Sequence, residues 1–112
     1  MFNKGDGVLQ GTVELLILKR LSCGSMHGYG IATWIEEATD DVLRVEEGSL
    51  YPALYRMLRK GWIAAEWGVS DNNRRAKFYR LTKAGEREFA EQANGWVRLS
   101  GAVSRAMTRP RR

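Results

Sequence analysis

The stretch Glu46-Glu47-Gly48-Ser49-Leu50-Tyr51-Pro52-Ala53-Leu54-Tyr55-Arg56-Met57-Leu58-Arg59-Lys60-Gly61 decides the fold. The spacing predicts a helix from about Ser49 to Lys60 with two unlike faces. Leu50, Leu54, Met57 and Leu58 fall on one side at intervals of three and four. Ser49, Pro52, Arg56 and Arg59 fall on the other, flanked by Tyr51 and Tyr55. Proline has no amide hydrogen and fits the first helical turn, so Pro52 is expected to fix the start. Gly61 stops the helix after basic residues near its end. A short helix with a cationic, aromatic outer face suits the major groove of DNA.

Downstream, the period changes from helical to alternating. Ile63, Ala65, Trp67 and Val69 alternate with Ala64, Glu66 and Gly68, as in a strand. Ser70-Asp71-Asn72-Asn73 is a turn cluster, and Ala76 to Leu81 reads as the return strand. The result is a hairpin with Arg74 and Arg75 at its tip and Lys77 close behind. Those three cations are expected at a phosphate backbone or in the minor groove.

Upstream, Thr12 to Ser22 is apolar nearly all round, so a helix there is expected to be buried on two sides. One side would be the chain's own core and the other a subunit contact, with Val13, Leu16 and Ile17 contributing. Cys23-Gly24-Ser25 reads as a turn, with Cys23 a small buried residue. His27-Gly28-Tyr29-Gly30 reads as a cap and turn opening a helix with Ile31, Trp34, Ile35 and Ala38 at helical spacing. Asp40-Asp41 ends that helix. Leu43-Arg44-Val45 is a candidate short strand. Glu46-Glu47 reads as a dipole complement at a helix start.

Thr82 is a good helix N-cap, and the helix after it runs to about Met107. Phe89, Ala93, Trp96, Ser100, Val103 and Met107 alternate by four and three along it, a short heptad seam. Such a seam with no partner in its own chain points to a dimer contact. Gly95 and Gly101 weaken the helix, so it is expected to need that partner. Trp96, mid-seam, has two readings. Dimer core is favoured, because an aromatic at heptad spacing is usually packing. A flat slot for a planar ligand is the alternative.

Composition narrows the function classes. The chain has 112 residues, 28% of them charged, a formal net charge of +5 and one cysteine. That length fits a small domain whose core is modest. The positive excess favours a polyanionic partner, nucleic acid before membrane. One Cys and one His make neither a disulfide nor a metal site, and they suit a reducing cytoplasm. No apolar run approaches the roughly 18 residues of a membrane span. No nucleophile, base and carboxylate come together as a catalytic set, so no enzyme activity and no cofactor are expected. The opening MFNKGDGVLQG is polar and glycine-rich, unlike a signal peptide.

The expected architecture is mainly α with a β-hairpin: a winged helix-turn-helix over 11–81, followed by a dimerisation helix over 82–108. Residues 1–10 would be a loose arm and 109–112 a basic tail. In order, HGYGI, EEGSLYPALYRMLRKGWI and RRAKFYRLTKAG resemble the PadR family of bacterial transcriptional regulators. The resemblance covers about residues 10 to 108 and is to the short members, whose C-terminal part is a single helix. It implies a homodimer that represses transcription from an inverted-repeat operator in double-stranded DNA. It also implies an effector among phenolic acids or other small aromatic compounds. Carried over to this chain, the recognition helix is Ser49 to Lys60, with Ser49, Tyr51, Pro52, Tyr55 and Arg56 toward DNA. The wing is Trp67 to Arg80, and the dimer helix is the last. The family supplies no catalytic residues to transfer. Two rivals remain at this stage: a winged-helix protein-interaction module, which calls for an apolar outer face on the third helix, and a nonspecific nucleic-acid binder.

Overall fold

The computed structural model describes residues 7–111. Its elements are α1 (Gly7–Leu21), β1 (Met26–His27), α2 (Gly28–Ala38), α3 (Glu47–Arg59), β2 (Ile63–Val69), β3 (Arg75–Leu81) and α4 (Lys83–Met107). The three helices and hairpin expected from the sequence are present. The sheet has a third strand, however, and its order is β1-β3-β2, antiparallel throughout. Met26 pairs with Tyr79 and His27 with Phe78. Leu43-Arg44-Val45 is not a strand; Leu43 and Val45 instead plug the core between α2 and α3.

Helix ends follow local chemistry. The Nδ1 of His27 accepts a 3.0 Å bond from the Gly30 amide, so the histidine caps α2 as expected. Asp40 and Asp41 both take positive φ and turn the chain out of α2. Gly61, at φ +76°, ends α3 in a Schellman motif: its amide reaches Leu58 O, and the Trp62 amide reaches Met57 O. Thr82 Oγ1 accepts from the Gly85 amide at 3.1 Å and donates to Gly61 O at 2.6 Å, tying the start of α4 to the end of α3. A Cβ on Gly85 would overlap the carbonyl of Trp62, so only glycine lets α4 dock there.

Three boundaries depart from expectation. Helix α1 begins at Gly7, so residues 7–10 are helix and not arm; residues 1–6 lie outside the described residues. Helix α3 begins at Glu47, with Ser49 and Leu50 amides bonded to Glu46 O. Pro52 therefore sits in the second turn and does not set the start. It is tolerated because Gly48, whose carbonyl loses its partner, lies with Pro52 on the exposed side, where water can reach it. Cys23 is exposed rather than buried, because α1 ends at Leu21 and the chain turns outward.

The core sits where α1, α2 and α3 meet the base of the sheet. Ile17, Leu18, Ile31, Ile35, Leu50, Leu54 and Met57 are fully buried there. Ile63 and Tyr79 close it from the hairpin. Burial raises the Tyr79 hydroxyl above its ordinary pKa of 10.0, and the nearby Tyr51 adds to the shift. Helix α4 packs against α1 and β3 and then runs on past the domain.

Candidate nucleic-acid interface

Helix α3 buries Leu50, Ala53, Leu54 and Met57. At 100° per residue, that burial turns Gly48, Pro52, Tyr55 and Arg59 directly outward, and all four are exposed. The Arg59 guanidinium lies over the Tyr55 ring, 5.8 Å from its centroid. The two flanks differ. Tyr51, on the hairpin side, is half-exposed and leans on Gly28, where a Cβ would come within 2.7 Å of its hydroxyl. Ser49 and Arg56, on the α1 side, are half-buried. The Nε of Arg56 donates to Oε2 of Glu14 at 3.1 Å. Arg56 is thus held at the α1 edge of the helix, not on its outermost line as the sequence periodicity suggested.

The hairpin face that buries Ile63 and Tyr79 at its base continues beyond the core. In register, Ala65 faces Tyr79, Trp67 faces Lys77, and Val69 faces Arg75. The outer part of this face is solvent-exposed. The Arg75 guanidinium stacks over the Trp67 ring at 4.5 Å, a diagonal cross-strand pair. The tip is ordered by its own bonds: Ser70 N donates to Arg74 O at 2.8 Å, and Ser70 Oγ donates to Asn72 Oδ1 at 2.7 Å. Asn73 takes φ +61°, and Arg74 beside it is exposed. On the opposite hairpin face, Phe78 lies over Gly68 and meets His27 edge-on at 5.3 Å, bracing the wing on α2.

Between α3 and the wing lies a cleft lined by Gly28, Tyr29, Tyr51, Trp67, Arg75 and Lys77. The structure brings Tyr51, Arg75 and Lys77 together here, with Tyr55 and Arg59 on the adjoining helix face; Arg74 is exposed at the hairpin turn and does not line the cleft. Two residues of this surface were not singled out from sequence. Tyr29 is 78% exposed at the mouth of the cleft, and Trp67 carries the arginine stack. The exposed tyrosine in HGYG was visible in sequence as an aromatic off the Ile31/Ile35 stripe.

A second surface is apolar. Thr12, Leu15 and Leu16 of α1, with Thr39 and Leu43, face Phe89, Ala93, Trp96 and Val97 of α4 across an open groove. Further along α4, Leu99, Val103 and Met107 are exposed. The seam expected on this helix is therefore covered in part at Phe89, which packs against the core, and exposed at Trp96, Val103 and Met107. Val13 and Ile17 are not part of it: both are buried in the chain's own core, and Leu15 and Leu16 turn toward α4 in their place. Among the described residues, no group of side chains could hold a metal ion.

Together these elements define a winged-helix protein with a cationic, aromatic face on α3 and its wing. The match to the transcriptional regulator PadR-like family spans residues 17–91, and the chain belongs to that family of transcriptional regulators. It is 30% identical to a transcriptional regulator of Mycobacterium tuberculosis, over 84% of each chain. Its structure is similar to that of a PadR-like transcriptional regulator from Bacillus cereus, with TM-score 0.80, 27% identity and coverage of 92% of this chain and 98% of that one. A transcriptional regulator from Clostridium thermocellum is alike at TM-score 0.78 and 28% identity, over 91% and 98%. Among the described residues, no helix is long and apolar enough to cross a membrane.

Proposed function

We propose that this regulator is a homodimeric, sequence-specific repressor that acts in the cytoplasm on an inverted-repeat operator. The observation that carries the reading is the shared orientation of two cationic, aromatic elements. The Tyr51 flank of α3 and the Trp67 face of the wing open onto one cleft, and the outer line of α3 with Tyr55 and Arg59 is exposed beside it. Tyr55 and Arg59, with Tyr51 and Arg56 on the flanks, would read base edges. Arg74, Arg75 and Lys77 would meet phosphates and supply most of the salt-dependent affinity. The cationic outer face of α3 argues against a protein-interaction module.

The apolar seam of α4 and the groove beside it would be closed by the same surfaces of a second copy, an isologous contact. The partner would bury Leu15, Leu16, Phe89, Ala93, Trp96, Val103 and Met107. A small aromatic effector would enter beside Trp96 and act only through a difference in affinity between two spacings of the recognition helices. The test is selection of duplexes from a randomised pool by the full chain, followed by competition with a scrambled duplex. An inverted repeat preferred over its scramble supports the reading. Equal binding to both would make the protein a nonspecific nucleic-acid binder.

A further inference from the structure

Glu14 is the only buried charged residue among the described side chains, and it is flanked in α1 by Val13, Leu15, Leu16, Ile17 and Leu18. Its partner is distant in sequence: Oε2 accepts from Arg56 Nε at 3.1 Å. The Glu14 side chain is 11% exposed and that of Arg56 33%. Stability does not explain the pair. Burying a carboxylate carries a desolvation penalty, and an apolar pair of similar volume commonly serves a core as well or better. What the pair does provide is geometry. A charge-assisted bond from Nε to a carboxylate narrows the rotamers open to a long, flexible side chain and draws it toward α1.

We propose that Glu14 is a positioning residue for sequence readout: it aims Arg56 along the α1 edge of the recognition helix, so that the arginine reaches one base step reproducibly. This rests on the reading of α3 as the helix that enters the groove. Helix α1 also carries Leu15 and Leu16 in the apolar groove against α4. The residue that aims Arg56 is therefore one position from the surface proposed to hold the second subunit.

The consequence is specific. Without Glu14, Arg56 keeps its charge and still attracts phosphates, but it no longer chooses a base. Removing an anion beside a polyanion also favours indiscriminate binding. The experiment measures affinity of the full-length protein for the duplex that the wild-type protein selects from a random pool, and for its scramble. The variants are Glu14→Leu, Glu14→Gln, Arg56→Ala and the double Glu14→Leu/Arg56→Ala. Glu14→Leu should cut the selected-to-scrambled ratio by about tenfold, within the range of one base contact, with scrambled affinity equal or higher. Glu14→Gln, which keeps an acceptor, should lose less. The double variant should discriminate no worse than Arg56→Ala alone, since both changes remove one contact. A ratio that survives Glu14→Leu while Arg56→Ala lowers it would overturn the proposal. So would a fall in both affinities together, the mark of a merely structural role. Failure of the underlying reading looks different: the wild-type protein would then select no duplex over its scramble.

Discussion

Arg59, Arg74 and Arg75 are chemically alike but held differently, and their substitution should separate accordingly. Arg59 lies on the outermost line of α3 over Tyr55. Arg59→Ala and Tyr55→Ala should each lower affinity for the selected duplex more than for its scramble, with about 1–3 kcal/mol of discrimination lost per base contact. Arg74→Ala and Arg75→Ala should weaken both duplexes alike. Each should also reduce the slope of log affinity against log salt by about one, as titration at several salt concentrations would show. An unchanged slope would remove the wing from the interface. Tyr79 gives a pH prediction. Its pKa is raised in the folded chain by burial first and Tyr51 second. Between the unfolded and folded values, the unfolded state has already lost the proton that the folded state keeps. The stabilising contribution is thus complete below about pH 10 and lost as pH rises through the folded value. Melting curves should be insensitive to this group near neutrality and fall at high pH, less steeply in Tyr79→Phe.

At the scale of elements, the legible parts of the chain were those with a clean period. The Leu50/Leu54/Met57 stripe, the alternation from Ile63 and the cap at Thr82 each gave the right element. Misreadings arose where sequence signals were ambiguous or short. Helix α1 is apolar on every side, so periodicity could not tell that Val13 and Ile17 serve the core while Leu15 and Leu16 face α4. Strand β1 is two residues long and has no period of its own; it exists because β3 offers Tyr79 and Phe78 as partners. Pro52 suggested a start because the exposed carbonyl that makes it tolerable in the second turn is a tertiary fact. The contact between Glu14 and Arg56 spans 42 residues and leaves no local trace. Helix α4 carries its own predictions. Gly85→Ala would drive a methyl into the Trp62 backbone, and should lower the melting temperature through a cost of at least about 1–3 kcal/mol. Truncation before Ala90 should yield a monomer by sedimentation; an undiminished dimer would move the contact elsewhere. If Trp96 lines a slot and not a closed dimer core, planar aromatic compounds should quench its fluorescence and lower DNA affinity. Quenching that persists in Trp96→Phe would place the compound at another tryptophan.

The whole molecule is elongated, 59 × 29 × 23 Å, because the 25-residue α4 extends about 37 Å and leaves the domain behind. In the dimer proposed above, such a helix with exposed Leu99, Val103 and Met107 would serve as the arm for the second copy, and a small core would gain from it. In the proposed dimer, two α3 faces are related by a dyad, each with its wing braced by Phe78 on His27. This arrangement requires two identical footprints on one side of the duplex. Hydroxyl-radical footprinting of the full-length protein on its selected duplex tests it most directly. The account predicts two protected patches related by a dyad and centred about 10 base pairs apart, or a multiple of that. Both should vanish together in the Arg59→Ala/Arg74→Ala/Arg75→Ala variant. A single patch without symmetry, or protection that survives the triple substitution, would contradict it.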